Sequence, residues 1–335
     1  MLKSTAMRTR AITAISLASL YLGKLLSFLP NRIKHSLVIG LKQLIDRTSS
    51  RLSSLMYLIA YEMTKGMYFK NTGPVMLSKQ MPFGSRMDLD VTKKTQRILY
   101  LQKLYEPYIT NYLLKFFKPG DLFIDIGANV GYYTLLAAHI TGPSGKVIAF
   151  EPEESNYSTL VKNVTLNKFT NAVCIRKAAG EGTGSATLYL NPLNDGGNSL
   201  NVLTEYYDDR KGWTRNEVLR RFPRKNLEQK IETISFDTYT EQFPLPNVSC
   251  TVKIDVEGAE YAVLKGMKEF LKRKSSLNIL CEVSKDGDQI VKFLEDLGYG
   301  VNTLDEGGTP HLYTKGQVPI RAKALMFSKS SLDSL

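Results

Sequence analysis

Two short segments of this sequence carry the residue types that bind a nucleoside. Each is an apolar run that predicts a buried strand. The first, Leu122–Ile126, leads into a turn bounded by glycines, and the second, Val147–Phe150, ends on a carboxylate. This order is typical of a nucleoside-binding β-α-β unit, in which the ligand lies beyond the carboxyl ends of the strands. The candidate cofactor-binding residues are Asp125, Gly127, Asn129, Gly131 and Glu151.

The residue at position 129 indicates which nucleoside is bound. A dinucleotide-binding turn needs glycine there, because the pyrophosphate approaches the backbone closely, but this chain has Asn129. S-adenosylmethionine has no phosphate. We expect the N–H groups of the turn to bind its carboxylate, Asp125 to face its cationic groups, and Glu151 to accept hydrogen bonds from both ribose hydroxyls. The alternative is an ordinary β-α-β unit in which these acids only cap helices.

A second group of acids follows a later apolar run. Asp255 and Glu257 are two residues apart, so they share a face while the strand remains extended, and Glu282 ends the next run. A carboxylate within hydrogen-bond reach of an acceptor hydroxyl can remove its proton, which makes these three acids the candidate catalytic residues. Two alternatives stay open. The acids could cap the following helix or pair with Lys253, or they could hold a divalent cation such as Mg²⁺. Nothing in their spacing specifies a metal, and we expect none.

A series of motifs makes the chain resemble the FkbM-type methyltransferases, which are class I S-adenosylmethionine-dependent enzymes. The resemblance runs from about residue 82 to residue 328. The motifs are Tyr105–Pro107, Lys118–Gly120, Asp125–Tyr133, Phe150–Pro152, Gly196–Ser199, Ile234–Asp237, Lys253–Glu260 and Leu264–Gly266. The resemblance implies methyl transfer to an oxygen of a small-molecule, sugar (glycan) or lipid-linked acceptor. It adds nothing about the residues before about 80.

The alternation of apolar runs predicts an α/β fold with a Rossmann-like, seven-stranded, doubly wound sheet. The predicted strands are Leu122–Ile126, Val147–Phe150, Ala172–Arg176, Thr251–Asp255, Leu277–Val283, Tyr299–Leu304 and Ala324–Phe327. The predicted helices are Tyr132–Ile140, Glu153–Asn167, Glu260–Lys274 and Asp288–Leu297. Residues 181–230 do not follow the alternation. They read as a substrate-side insertion, with an antiparallel strand at 182–190 and a loop at 191–199.

The charge is concentrated in the first third of the chain. Residues 1–120 hold 19 Lys and Arg against 5 Asp and Glu, which is a net charge of +14, and the remainder carries −2 of the total of +12. Residues 1–80 therefore read as a basic, apolar-helical extension to a methyltransferase domain at 81–330. No uncharged run reaches the roughly 18–20 residues needed to span a bilayer. Residues 1–51, with further amphipathic runs at 36–45 and 52–63, suit an anionic membrane surface. They suit equally well a set of helices that cover the catalytic domain and present a basic face to solvent.

The remaining features of the sequence give less information about function. Cys174, Cys250 and Cys281 have no ligand-like spacing and read as reduced core residues, and His35, His139 and His311 read as structural. The expected location is cytoplasmic, with peripheral association at the inner membrane face as an option. A cluster of Arg, Lys and aromatic residues at 210–225 suits phosphate or carboxylate recognition, or a solvated patch.

Two other function classes stay open. An RNA methyltransferase is disfavoured, and nucleic acid is an unlikely partner, because no nucleic-acid-binding module accompanies the basic residues. The other class is a non-catalytic, membrane-associated scaffold that only binds the cofactor.

Overall fold

The computed structural model describes residues 31–47, 61, 73–192, 194–200, 227–283, 286–313 and 324–329. The chain divides into two compact units. The first takes in the described residues up to 82 together with 86–105, and the second takes in 83–85 and the described residues from 106 onward. The predicted boundary near residue 80 remains a prediction.

The first unit contains two helices and an antiparallel pair of strands in its described part. The elements are α1 (Asn31–Arg47), β1 (Met76–Gln80), β2 (Arg86–Asp90) and α2 (Lys94–Leu101). Asp90, the last residue of β2, stabilises one end of the strand pair. Its Oδ1 accepts hydrogen bonds from the N–H groups of Val75 and Thr92. Lys79 donates to the carbonyls of Leu99 and Gln102 at the end of α2. These contacts satisfy backbone groups that a strand end and a helix end would otherwise leave unpaired.

The second unit is built on one large sheet. Its strands are β3 (Leu122–Ile126), β4 (Lys146–Phe150), β5 (Ala172–Ile175), β9 (Cys250–Ile254), β10 (Leu277–Glu282), β11 (Gly300–Leu304), β12 (Pro310–Leu312) and β13 (Ala324–Ser328). Their spatial order is β12-β11-β13-β10-β9-β3-β4-β5. The pairs from β10 to β5 are parallel, and β13 runs antiparallel to both β10 and β11. All seven predicted strands are present in this sheet, which confirms the predicted fold class.

The sheet has eight strands rather than the predicted seven. The additional strand is β12, which pairs with β11 at the sheet edge through three residues. It begins with a proline and has only three residues, so it has no recognisable alternation of apolar and polar residues. It follows a tight turn in which the N–H of Gly308 donates to the carbonyl of Asp305 at 2.9 Å.

The strand order reverses between β3 and β9. From β3 the chain proceeds to β4 and β5 on one side, and β9 and β10 lie on the other side. Both β3 and β9 are completely buried. In open α/β sheets, a ligand binds beyond the carboxyl ends of the strands at this point. The sequence motifs at 125–131 and 253–257 both follow strands that end here.

Helices cover the sheet. They are α3 (Pro107–Phe116), α4 (Tyr132–Thr141), α5 (Glu154–Leu166), α6 (Phe236–Gln242), α7 (Glu260–Gly266), α8 (Lys268–Arg273) and α9 (Gly287–Asp296). The prediction of one helix over 260–274 was wrong, because the chain breaks at Met267 into α7 and α8. The break follows Gly266, where an added Cβ would lie 1.8 Å from the carbonyl oxygen of Gly180. The helix thus ends where the backbone packs against another segment.

A three-stranded sheet accompanies the large one. It consists of β6 (Ala178–Ala179), β8 (Glu228–Ile234) and β7 (Gly184–Tyr189) in that order. The pairing of β7 with β8 is antiparallel, as the alternation in the sequence predicted. The predicted cluster at 210–225 lies outside the described residues.

The N-terminal predictions are described only in part. The amphipathic run at 36–45 lies within α1, whose Val38 is buried. The runs at 1–30 and, apart from residue 61, at 52–63 lie outside the described residues. Among the helices that the structure describes, none has the length and apolar character to cross a bilayer. The three cysteines are free, with Cys250 and Cys281 buried and Cys174 half-buried.

Candidate active site

The turn after β3 is tied to the neighbouring strands by its own N–H groups. Those of Gly127 and Ala128 donate to the carbonyl of Phe150 at 3.0 Å. The N–H of Asn129 donates to Oε2 of Glu151, and that of Val130 to Oδ1 of Asn129, both at 2.8 Å. Each of these groups already has an acceptor inside the protein. Their binding to a cofactor carboxylate remains a prediction.

The backbone of the turn explains its residue types. Gly127 has φ +84°, and an added Cβ would lie 1.9 Å from the carbonyl oxygen of Asp255, so only glycine fits. Asn129 has φ +51°, in the left-handed region that asparagine tolerates better than other non-glycine residues. Gly131, with φ +97°, precedes the first residue of α4. The predicted turn residues thus bring the ends of β3 and β9 into direct contact.

Glu151 lies at the end of β4, as predicted, and is buried. Its Oε2 accepts the N–H of Asn129, and its Oε1 accepts the N–H of Glu153 at 2.9 Å. Burial raises the pKa of this carboxyl to about 8, although the two backbone donors act in the opposite direction. A carboxylate has about four acceptor positions, so two remain for the hydroxyls of a ribose. The residue fits the predicted cofactor role.

Asp125 lies within β3 and is completely enclosed. Its Oδ2 accepts the hydroxyl of Thr134 at 2.6 Å, while its Oδ1 is buried with no hydrogen-bond partner among the described residues. Burial raises its pKa, and the positive charge of Lys253 offsets part of this effect. An orphaned, buried carboxylate oxygen at the switch point suits a cationic ligand group or an ordered water. Its contact with the cofactor remains a prediction.

The loop 194–199 contacts the cofactor turn. The carbonyl of Asp195 accepts hydrogen bonds from the side-chain amides of Asn129 and Asn156, both at 3.1 Å. At the other end of the loop, the hydroxyl of Ser199 donates to the carbonyl of Glu257 at 2.7 Å. Asn156 was not among the predicted site residues. The loop therefore bridges the two candidate motifs, which the sequence could not show.

The second motif brings Lys253 and Asp255 together. Nζ of Lys253 lies 2.9 Å from Oδ2 of Asp255 and 4.8 Å from the centre of the Tyr133 ring. Burial opposes the charge of this lysine, but the carboxylates of Asp255, Asp125 and Glu106 outweigh that effect and raise its pKa above the ordinary value. Lys253 is therefore a fixed positive charge at the switch point. Of the candidate catalytic acids, Asp255 forms the ion pair with Lys253 that the sequence analysis gave as an alternative.

Glu282 lies beside Asp255. In the parallel register of β9 and β10, Cys281 is opposite Ile254, so the next residues on each strand are also neighbours. Burial, the charge of Asp255 and a hydrogen bond with its side chain raise the pKa of Glu282 to about 9. The raised pKa favours the protonated form of Glu282. Two neighbouring carboxyl groups disfavour a double negative charge, which favours sharing of one proton.

Glu257 is placed differently from the expectation. The strand ends at Ile254, and Glu257 has φ +52° and is exposed, so the argument that it shares an extended face with Asp255 was wrong. Capping of the following turn is done by Glu260, whose Oε1 accepts the N–H groups of Val256 and Gly258 at 3.3 and 2.9 Å. Asp255 therefore pairs with Lys253 and Glu282, while the buried Glu260 carries the structural role.

A cavity opens next to these acids. It is small, with a volume of about 10 Å³, close to the space of one water molecule, and is lined by Glu106, Tyr108, Ile109, Lys253, Ile254, Asp255, Leu280, Glu282 and Ala324. Glu106 and Tyr108 stand at the start of α3, and Oε2 of Glu106 accepts the hydroxyl of Tyr133 at 2.7 Å. Neither Glu106 nor Tyr108 was predicted as a site residue. The resemblance to a known family pointed to residues 105–107 but indicated no role for them.

Other candidate groups do not join the site. Within the described ranges, no three His, Cys, Asp or Glu residues are arranged to hold a metal ion. His311 pairs with Asp305 at the surface. His139 lies against Gly84, where an added Cβ would be 2.8 Å from its ring.

Residues 125–301 match the Methyltransferase FkbM domain. The chain belongs to the FkbM methyltransferase family. This match covers both candidate motifs and confirms the predicted class of enzyme and its cofactor, S-adenosylmethionine. Glu106 and Tyr108 lie before the matched residues.

The curated relatives of this chain are methyltransferases. The hexuronic acid methyltransferase AglP of Haloferax volcanii is 25% identical over 66% of this chain and 80% of its own length. Methyltransferase 1 of Beauveria bassiana is 26% identical over 45% of this chain and 60% of its own length, so the chain spans less than two thirds of that relative. Among solved structures, Aeropyrum pernix fibrillarin with bound S-adenosyl-L-methionine is 15% identical over 75% of this chain and 92% of its own, with a TM-score of 0.38. The family assignment depends on the sequence match and not on this likeness.

Proposed function

We propose that the protein transfers a methyl group from S-adenosylmethionine to a hydroxyl of a small-molecule or sugar acceptor. The observation that carries the proposal is the hydrogen-bonded pair Asp255 and Glu282 in the wall of a small pocket at the switch point. A base of this kind is needed for a hydroxyl acceptor, which must lose its proton as it gains a methyl group.

The cofactor, when bound, supplies a methyl group at a sulfonium centre. The chain's own residues then have two tasks. Glu151, and in part Asp125, would hold the cofactor's ribose and cationic groups, and the cavity beside Asp255 would orient the acceptor. Gly127 of the cofactor turn lies against the carbonyl of Asp255, which supports a short distance between the cofactor and the acceptor.

The proton of the acceptor hydroxyl passes to the carboxyl pair. Asp255 is its acceptor in this proposal, because the raised pKa of Glu282 leaves Asp255 as the ionised member of the pair. The Lys253 ammonium lowers the basicity of Asp255 but holds its carboxylate in place. Glu282 holds Asp255 in place through its hydrogen bond and is not itself the base at neutral pH. The exposed Glu257 lies outside the carboxyl pair and does not line the pocket.

The relative AglP supports a sugar acceptor loosely, because its name describes a hexuronic acid methyltransferase. A lipid-linked acceptor fits the basic first third of the chain, whose nine cations among residues 1–51 face one acid, Asp46. We therefore also propose peripheral association of residues 1–51 with an anionic membrane surface. Cooperation of apolar insertion and several cations supports this proposal.

The catalytic assignment is tested with two amide variants. Asp255→Asn should lower kcat by about 10²–10⁴-fold, the usual contribution of a positioned general base. Glu282→Gln retains a neutral hydrogen-bonding group and should lower kcat less than about tenfold at pH 7. The measurement is turnover of labelled cofactor with an acceptor pool from cell extract, and cofactor affinity is determined in parallel.

The exposed Glu295→Gln on α9 is the matched control and should behave as wild type. Equal losses in Asp255→Asn and Glu282→Gln would contradict the division of roles. Wild-type turnover in Asp255→Asn would remove this residue from the chemistry. Cofactor binding with no turnover by the wild-type protein on any acceptor would favour a binding scaffold.

A further inference from the structure

We propose that Asn156 is a positioning residue for the cofactor. Its side-chain amide completes a ring of hydrogen bonds that holds both carboxylate oxygens of Glu151 in place. The inference rests on the cofactor role of Glu151 in the function proposed above. It adds a residue that lies outside the predicted site.

Asn156 lies in the first turn of α5, the helix that begins just after Glu151, and is 2% exposed. Its backbone N–H donates to Oε2 of Glu153 at 2.7 Å. Any residue except proline could form this backbone bond. The side chain makes a second bond that depends on the residue type, because Nδ2 donates to the carbonyl of Asp195 at 3.1 Å.

Packing alone does not account for the amide of Asn156. Its Oδ1 is buried and has no hydrogen-bond partner among the described residues. A buried acceptor without a partner is unfavourable, and an apolar side chain of similar shape would avoid that cost. The amide therefore contributes through its donor, which is bonded to Asp195.

The carbonyl of Asp195 joins α5 to the cofactor turn. It accepts Nδ2 of Asn129 as well as Nδ2 of Asn156, both at 3.1 Å. Nδ2 of Asn198 is a third and weaker contact at 3.5 Å. The backbone N–H of Asn129 in turn donates to Oε2 of Glu151 at 2.8 Å. A displacement of the Asn156 amide is therefore transmitted to a group that bonds Glu151.

These bonds close a ring around the carboxylate of Glu151. On one side the ring runs from Asn156 through Asp195 to Asn129 and ends at Oε2. On the other side it runs through Glu153, whose carboxylate accepts the N–H of Asn156 and whose own N–H donates to Oε1 at 2.9 Å. Both oxygens are thus held, which fixes the plane of the carboxylate. A fixed plane suits an acceptor that must bond two neighbouring hydroxyls of a ribose.

The loop 194–199 keeps the carbonyl of Asp195 at this place. Its last residue, Ser199, is paired with Tyr189 of β7 through two backbone bonds of 2.8 and 3.0 Å. The hydroxyl of Ser199 also donates to the carbonyl of Glu257 at 2.7 Å. The loop is therefore anchored to two other segments, and its carbonyl is a fixed acceptor for the amide of Asn156.

The test measures cofactor affinity and stability in the same variants of the full-length protein. Asn156→Leu keeps the approximate size of the side chain and removes both the donor and the unpartnered oxygen. We expect the Kd for S-adenosylmethionine to rise roughly three- to tenfold, the effect of one lost hydrogen bond, while the urea midpoint stays close to that of wild type. A residue with only a packing role would change affinity in step with stability. Calorimetry and urea unfolding measure the two quantities.

Asn129→Gly breaks the same ring at another link, and the φ of +51° at this position suits glycine. It should also raise the Kd, and it decides the question if Asn156→Leu does not fold. The matched control is Asn171→Leu, the same substitution at an amide that donates to two carbonyls at the end of α4. This control should lower the urea midpoint and leave the Kd unchanged.

A wild-type Kd in a folded Asn156→Leu, or in Asn129→Gly, would overturn the inference. Equal weakening in Asn171→Leu would overturn it too, since affinity would then follow stability. Glu151→Ala separates this inference from the proposed function. Weaker binding in Glu151→Ala together with wild-type binding in Asn156→Leu would overturn the inference alone. Wild-type binding in Glu151→Ala would remove the cofactor role of Glu151 and this inference with it.

Discussion

Two buried acids and one half-buried acid distinguish the site at the scale of single residues. Burial raises the pKa of Asp125, Glu151 and Glu282, and each lies at or near the carboxyl end of a central strand. Burying a carboxyl group is costly, and acids with raised pKa values concentrate at functional sites, although structural networks produce them too. Glu260 is an example of the second kind, because it is buried but bonds only to its own turn.

The first residue-scale prediction concerns Glu151. Its ionised form accepts more hydrogen bonds from the ribose than its protonated form, so cofactor affinity should rise with pH as the carboxyl ionises around pH 8. Glu151→Gln should remove this rise, and Glu151→Ala should weaken binding by about 2–3 kcal/mol, the range for hydrogen bonds to a charged group. Calorimetry between pH 6.5 and 9 measures both effects.

The cofactor's own amino group also titrates, so the Glu151→Gln curve serves as the control. Parallel curves for wild type and Glu151→Gln would show that Glu151 does not govern the pH dependence. Unchanged affinity in Glu151→Ala would remove it from the binding site.

At the scale of elements, the site depends on close contact between two strand ends. The turn after β3 has no space for a side chain at Gly127, because the carbonyl of Asp255 lies against it. Asp255 also donates its N–H to the carbonyl of Ile126 at 3.0 Å. The position of the proposed base is therefore coupled directly to the geometry of the cofactor turn.

Gly127→Ala tests this coupling. The added Cβ would collide with the carbonyl of Asp255 and would hold alanine at φ +84°. We expect the free energy of unfolding to fall by roughly 2–4 kcal/mol from strain and overpacking, with both cofactor binding and turnover impaired. Gly182→Ala is the matched control, because Gly182 has no atom within 4 Å of an added Cβ. Similar urea midpoints for the two variants would contradict the prediction.

At the scale of the whole molecule, charge and chemistry are segregated along the chain. Residues 1–120 carry +14 and the remainder carries −2, whereas the carboxyl groups of the site lie in the second unit. Val38 of α1 is buried, so α1 is part of a packed structure. A deletion that tests membrane association should therefore end before α1.

Deletion of residues 1–30 removes four cations, Lys3, Arg8, Arg10 and Lys24, and their apolar neighbours. Each cation near an anionic surface contributes about 1 kcal/mol, so vesicle affinity should fall at least tenfold at low salt, while cofactor affinity stays unchanged. Co-sedimentation with neutral and anionic vesicles measures this. A full-length variant with the four cations changed to Gln distinguishes the contribution of charge to vesicle binding from that of apolar insertion. Equal sedimentation of truncated and full-length protein would contradict the membrane proposal.

The sequence by itself determined the local parts of the site. The left-handed backbone at Asn129 and Gly131, the apolar run that ends on Glu151, and the run that ends at Asp255 are each local features of the chain. Strand and helix types are similarly local, because they follow from apolar periodicity. For this reason the α/β class, the seven longer strands and the cofactor class could be predicted.

Only the tertiary structure decided which of these residues meet. Glu106 joins Lys253 and Asp255 from about 150 residues away, through Tyr133 on another helix. The sequence also could not distinguish Asp255 from Glu257 and Glu260, because three acids close together take separate roles only after the strand ends and the backbone turns. Burial then sets their protonation, since desolvation and neighbouring charges depend on packing rather than on residue type.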